Sequence, residues 1–285
     1  MLLSARVANV LSFRDEQQLS FIATDLNDGS ARPTGVRERG KKILIVPVIG
    51  LYGANASGKT NVLAALRLMR LGVLESLRWF SDPNAVRRIA FVLDPDMAQE
   101  SSFYEVDLVL KDGVRYTYGF EIDDDRVGGE WLHAYPRGRK QVWFDRANGK
   151  FDFPGEGLRG EKLELARRTR SDALFLTVAA QFNHEQLLPV FEWFRDNLWL
   201  VSPEHDDRAR RLNYTRKKVV QDDIFRGHIA RLLKVADLGI NGIEVVSEAD
   251  EQIRLVHQAR SSGVPLDFSQ ESMGTRSWFA LLGPC

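Results

Sequence analysis

Apolar and polar positions alternate at the start of the chain. Leu3, Ala5 and Val7 occupy every second place, Val10 and Phe13 follow, and Leu19, Phe21 and Ala23 resume the period. A period of two marks a half-buried strand, so two strands are expected around a turn at Arg14, Asp15 and Glu16. Residues 25–42 are polar and rich in Gly and Arg, with Arg32, Arg37, Arg39, Lys41 and Lys42 among them. They read as a loop. The apolar run 48–52, between Pro47 and Gly53, suits a buried strand. From Lys59 the period changes. Val62, Leu63, Leu66, Met69 and Val73 fall at helical spacing, which predicts a helix to about Trp79.

Residues 103–146 read as antiparallel β structure, with a hairpin turn at Lys111, Asp112 and Gly113 and a strand over 141–144. The Gly-rich stretch 148–161 reads as a loop. Helical periodicity then returns at 163–170, 173–182 and 185–197, where Pro189 starts or kinks its helix, and again at 222–235. A strand pair is expected at 243–247 and 253–257, and a helix over 269–282. No internal repeat is visible.

Composition narrows the class. The 285 residues are 44% hydrophobic and 27% charged, as in an ordinary globular protein, so disorder and low complexity are excluded for most of the chain. That length suits one large domain or two small ones. Lys+Arg and Asp+Glu are 39 each, which argues against a uniformly basic nucleic-acid binder and leaves local patches open. No apolar run approaches the roughly 18 residues of a membrane helix, and the N-terminus does not read as a signal peptide. No membrane partner is expected. The single cysteine, Cys285, makes neither a disulfide framework nor a metal cluster. A cytoplasmic location is the expectation.

One segment carries chemistry. Gly53, Ala54, Asn55, Ala56, Ser57, Gly58, Lys59 and Thr60 match the phosphate-loop pattern G-x-x-x-x-G-K-[ST] in full. The two glycines let the backbone curl around an anion, and the loop N–H groups and the following helix dipole face it. Lys59 would reach the β- and γ-phosphates, and the Thr60 hydroxyl would ligate Mg²⁺. ATP and Mg²⁺ are the expected cofactors. A guanine-reading N-K-x-D segment is absent, and the D-x-x-G match at Asp125–Gly128 reads as a hairpin turn. Neither Asp15-Glu16 nor Asp250-Glu251 fits an apolar strand ending in a catalytic acid pair. Catalytic residues stay unassigned.

The loop 53–61, including Asn61 and followed by Val62 and Leu63, resembles that of ABC-type ATPase heads of the SMC, RecF and OLD kind. Val7-Ala8-Asn9-Val10-Leu11-Ser12-Phe13 resembles their opening strand. Ser269-Gln270-Glu271-Ser272-Met273-Gly274-Thr275-Arg276 resembles their signature motif. The chain is most similar to bacterial AAA/ABC-like ATPases of phage-defence and abortive-infection loci. Tyr116-Thr117-Tyr118-Gly119-Phe120, Trp143-Phe144-Asp145-Arg146 and Ala236-Asp237-Leu238-Gly239-Ile240 add to that likeness.

The resemblance implies an α/β P-loop NTPase fold of the ABC-head type, with an N-terminal antiparallel β segment and a mixed β and helical insertion. Its parts would be a P-loop lobe (1–90), an insertion that is β-rich and then helical (91–260) and a signature segment (261–285). It also implies head-to-head homodimers in which Ser272, Gly274 and Thr275 meet ATP held by a second copy. By themselves, Ser272–Thr275 read first as an ordinary helix cap; their place after a phosphate loop favours the signature. Leu11 stands where many relatives carry Arg, with Arg14 nearby. The lid-loop glutamine stays open between Gln99 and Gln181. The family's second acidic motif follows the signature, and this sequence stops before it. A head incomplete at its C-terminus, with weak or no hydrolysis, is therefore expected.

A basic cluster (Arg208, Arg210, Arg211, Arg216, Lys217, Lys218, with Tyr214) suits either a nucleic-acid contact or a solvated helix, since Asp206, Asp207, Asp222 and Asp223 flank it. The histidines (His133, His184, His205, His228, His257) lack metal-ligand spacing, and Glu204-His205-Asp206 has no nucleophile beside it. The six tryptophans are scattered and read as core or interface anchors. The expected output is an ATP-driven transaction with a defence-system partner protein or a nucleic acid. A non-catalytic nucleotide-binding interaction protein and a kinase-like or nuclease-associated P-loop protein are the alternatives.

Overall fold

The alternating N-terminal segments form β1 (Leu2–Ala8) and β2 (Gln17–Ser20), with the turn between them. The structure is a computed structural model that describes residues 1–24, 29–38, 40–79, 81–82, 87–200, 208–236, 239–258 and 263–283. The chain divides into two units, Met1–Leu200 and Val201–Cys285. Arg39, the Glu204-His205-Asp206 group, Asp207, Asp237, Leu238 and Cys285 lie outside the described residues.

In the first unit β1 and β2 join five strands from later in the chain: β5 (Ser102–Val109), β6 (Arg115–Ile122), β7 (Val127–Tyr135), β8 (Gln141–Ala147) and β9 (Lys150–Asp152). The sheet runs β2-β1-β5-β6-β7-β8-β9, antiparallel throughout. Strand β7 falls within the stretch 103–146 read as antiparallel β, whereas the short β9 lies in the stretch 148–161 read as a loop. The Asp125–Gly128 segment lies at the expected hairpin: the turn itself is Asp123–Arg126, where the Asp123 carboxylate accepts from the Asp125 and Arg126 amides, and Val127 and Gly128 begin β7. The sheet packs on α1 (Lys59–Glu75), α3 (Phe175–Gln181) and α4 (Leu188–Asp196), with Pro189 in the first turn of α4. Tyr104, Tyr118, Phe120, Phe144, Met69 and Phe175 fill that core. A short α2 (Lys162–Arg168) adds Leu165 to it.

Two expectations are corrected. Residues 25–42, read as a loop, contain β3 (Arg32–Glu38), which pairs with β4 (Lys41–Ile45). Most of their outward residues are charged (Arg32, Arg37, Glu38, Lys41, Lys42), and the inward ones (Thr34, Val36, Ile43, Ile45) are too few to dominate the composition. Val36, Ile43 and Ile45 bury against Leu3 and Val109. The second correction concerns residues 48–52, read as a buried strand, which form none. The last ladder bond is Val46 N–H to the Phe21 carbonyl, and Pro47 has no N–H to continue it. Beyond it no described strand supplies an edge, so Val48 is 80% and Tyr52 94% exposed.

A buried polar knot ties the sheet to α3. Glu130 is fully buried and accepts from the Phe175 and Leu176 amides (2.6 and 2.9 Å) and from the Tyr118 hydroxyl (3.0 Å). Arg146 lies 3.7 Å away and donates to the carbonyls of Ala173, Arg170 and Ser171. Burial pushes the Glu130 carboxyl above its ordinary range, against the pull of Arg146 and the two amides.

The second unit holds α5 (Arg208–Gln221), α6 (Asp223–Val235), β10 (Ile240–Ser247), β11 (Gln252–Gln258), β12 (Gly263–Asp267) and α7 (Met273–Leu282). Its strands form a separate three-stranded sheet. Strand β12 lies outside the expected strand pair. Val219, Ile229, Leu233, Leu255 and Phe279 make its core. The whole is a mixed α/β structure with a large antiparallel sheet and seven α-helices among the described residues.

Candidate nucleotide-binding site

The loop 53–58 leads directly into α1. Gly58 is the N-cap of that helix, in the left-handed region at φ 88°, and no side chain caps the first turn. The first-turn amides therefore lack the usual internal acceptor, and no acidic residue occupies that turn. Glycine at 58 is also required by a close approach: a Cβ there would lie 2.9 Å from Ser12 Oγ and 3.0 Å from the Phe13 ring. A Cβ on Gly53 would lie 2.7 Å from Ser57 Oγ. Ala56 also takes positive φ (63°), so the loop curls tightly. Residues 53–57 and Thr60 are exposed.

The Lys59 ammonium folds over this loop, donating to the carbonyls of Gly53 (2.8 Å) and Ala54 (2.6 Å). Asn61 Nδ2 donates to Ser12 Oγ at 2.7 Å, which ties the start of α1 to the β1–β2 turn. That turn is held in place by Asn9. The Asn9 amide donates to the carbonyls of Met97 and Glu100 (2.7 Å each) and accepts from the Phe91 amide. A cleft of about 240 Å³ beside the loop is lined by Val7, Phe13, Leu19, Tyr52, Lys59 and Val62. An uncapped helix start, a left-handed glycine and a lysine over the loop fit a phosphate group. For a divalent ion the exposed Thr60 hydroxyl is the oxygen donor in place. No group of three or more His, Cys, Asp or Glu residues suits a metal among the described residues.

A family model described as "AAA domain, putative AbiEii toxin, Type IV TA system" matches residues 48–283. The chain belongs to this family. It is a family of P-loop ATPases related to abortive-infection loci. The match includes the whole phosphate loop of this AAA-family chain and extends past Thr275. No curated protein matches the sequence. No helix is long and apolar enough to cross a membrane among the described residues.

The signature-like residues lie at the start of α7, in the second unit of the AAA-family chain. Ser272 is the N-cap, and its Oγ accepts from the Thr275 amide at 3.0 Å. Gly274 is in the first turn, and Thr275 is buried. The residue before the cap, Glu271, is buried and meets His257 Nε2 at 2.6 Å. Sequence reading missed this pair, because the two residues are 14 apart and only the β11–α7 packing joins them.

Other residues singled out in the sequence have the following surroundings. On α5, Arg211 is buried, Arg216 lies over the Phe268 ring (5.3 Å) and Lys218 over Phe225 (4.5 Å). Asp222 caps α6 by accepting from the Phe225 amide. Arg14 pairs with Asp94 at 2.8 Å, and Leu11 donates its amide to the Ile89 carbonyl. His184 meets the Arg159 carbonyl, and His228 lies beside Arg231. Trp79, Trp143 and Trp193 are buried. Trp131 Nε1 donates to Glu105 at 2.8 Å.

Proposed function

We propose that this chain is an ATP-binding head of the ABC type, in which nucleotide binding drives pairing of two copies. The observation that carries the reading is the uncapped, left-handed start of α1 at Gly58, with Lys59 poised over the loop. Lys59 would exchange its two carbonyl contacts for the β- and γ-phosphates, a charge-assisted gain. The amides of residues 53–60 would cradle the phosphates, with Asn61 holding the helix start in register. Thr60 would supply a hydroxyl to Mg²⁺, whose remaining ligands come from phosphate oxygens and water. Phe13 and Tyr52 stand beside the loop as apolar surface for a base.

The resemblance of the segments at 7–13, 53–61 and 269–276 to SMC, RecF and OLD heads supports the second half of the reading. Ser272, Gly274 and Thr275 would meet the γ-phosphate of ATP held by another copy. The family's association with a type IV toxin–antitoxin system supports an abortive-infection role with a defence-system partner protein. Calorimetry with Mg·ATP and light scattering test the proposal together. We expect saturable binding that Lys59→Ala abolishes, and a doubling of mass with ATP. Binding without a mass change would favour a nucleotide-binding interaction protein instead. No binding at all would overturn the reading.

A further inference from the structure

We propose that a cleft at the β7–β8 turn of the large sheet binds an extended, acidic, proline-containing segment of a partner protein. The proposal gives a docking place to the defence-system partner proposed above, and rests on that reading only for the partner's existence. The cleft measures about 1330 Å³, more than a single small ligand fills. None of its lining residues lines the cleft beside the phosphate loop. Its floor is apolar. Tyr116, Ala134 and Trp143 line it from three adjacent strands, β6, β7 and β8, and the Tyr116 and Trp143 rings meet edge to face at 5.3 Å.

The floor holds an unused donor. Trp143 is only 7% exposed, and its Nε1 has no hydrogen-bond partner. Beside that N–H, the space of a side chain at Gly157 is left open: a Cβ there would lie 3.1 Å from both Trp143 Nε1 and Gln141 Oε1. Gly157 and Gln141 line the same cleft. A buried indole N–H without an acceptor is unfavourable, and a carbonyl oxygen in that gap would satisfy it. An extended proline-rich chain supplies such oxygens, because its backbone makes no internal hydrogen bonds and its rings pack on aromatic surface. Gln186 fixes the Gly157 side of the gap. Its Oε1 accepts from the Arg159 amide at 2.7 Å, and its Nε2 donates to the Gly157 carbonyl at 3.0 Å.

The rim sets the charge of the occupant. Arg137 and Arg139 on the β7–β8 turn, and Arg159 before α2, are exposed and lie in no ion pair among the described residues. Arg137 takes φ 56°, a left-handed conformation uncommon for a residue with a side chain. The following Gly138 packs so closely that a Cβ would lie 2.8 Å from the Arg37 carbonyl oxygen. The turn therefore presents Arg137 from a fixed base. Planar guanidinium forks match carboxylates. Carboxylates of the chain also reach the rim: Glu156, Glu185 and Asp112, which accepts from the Tyr116 hydroxyl at 2.8 Å. They disfavour a nucleic acid, whose phosphates follow one another without a break. A polypeptide can place its acids opposite the arginines alone.

The test titrates the full chain with a capped peptide, Glu-Glu-Pro-Pro-Leu-Pro-Pro-Glu-Glu, and follows the Trp143 indole N–H resonance, identified by its loss in Trp143→Phe. That resonance should move saturably. The double substitution Arg137→Glu with Arg139→Glu lies on the surface and should keep the wild-type Tm, yet weaken binding by roughly tenfold or more. The same peptide with Lys in place of Glu should lose at least as much. An unmoved Trp143 resonance, or an affinity indifferent to both charge reversals, would overturn the proposal. Oligothymidylate that displaces the peptide and binds more tightly would assign the cleft to nucleic acid and overturn it as well. Lys59→Ala should lose ATP and bind the peptide like wild type, so the ATP reading and this site stand or fall separately. Peptide binding lost with Lys59 would place the peptide at the phosphate loop and overturn the cleft.

Discussion

The Lys59 ammonium lies 2.6 Å from the Ala54 carbonyl oxygen, across the mouth of the loop that begins α1. A lysine in that position satisfies its charge with two exposed backbone carbonyls, an arrangement that a phosphate displaces readily. Truncation should therefore harm binding more than folding. Lys59→Ala removes charge-assisted contacts of roughly 1.5–3 kcal/mol in the bound state, or roughly 10- to 150-fold in ATP affinity. Calorimetry should show that loss while the urea midpoint stays near wild type.

Gly58 joins backbone conformation to site geometry. At φ 88° a side chain costs roughly 1–2 kcal/mol, and a Cβ also meets Ser12 and Phe13. Gly58→Ala should lower stability by that amount and weaken ATP binding as well, because the helix start shifts. Paired urea melts and ATP titrations check both effects.

The Glu130–Arg146 pair should respond asymmetrically. Arg146→Met leaves a buried carboxylate without its cation, and breaking such a pair typically costs roughly 3–5 kcal/mol. The double substitution Glu130→Gln with Arg146→Met should be less destabilised than Arg146→Met alone. Because burial already raises the Glu130 carboxyl, Arg146→Met should recover stability as the pH falls and the carboxyl takes up a proton. A double-mutant cycle at two pH values measures all of this.

His133, 3.5 Å from Asp145, is held below its ordinary value of 6.5 by burial and by Lys140, although Asp145 pulls the other way. It binds a proton more weakly folded than unfolded. Its contribution is complete above pH 6.5 and is lost as the pH falls through the lower folded value. Wild type should lose more stability between pH 7.5 and 5.5 than His133→Gln does. Equal losses in thermal melts would remove His133 from the pH response.

Local signals were legible wherever the physics is local. The phosphate loop needs consecutive residues of particular kinds, so its pattern from Gly53 to Thr60 was complete in the sequence. The helix from Lys59 announced itself by its period. The Ser272 cap and the turn at Asp125 were readable for the same reason. Strands behaved otherwise. Val48–Tyr52 has the composition of a buried strand, yet it has no partner edge in the described structure. The hairpin of Arg32–Glu38 and Lys41–Ile45 hides only a few inward residues among many charged ones.

By itself, then, the sequence determined the anion-binding loop, the helix behind it and the alternating segments available for a sheet. Each depends on neighbours within about two helical turns. Only the tertiary structure decided which strands pair, that Glu130 caps α3 from across the sheet, that Ser12 braces Asn61 and that Glu271 meets His257. Those contacts join residues far apart in the chain, and a polar side chain shows its role only once burial removes its water and leaves the protein to supply, or withhold, a partner.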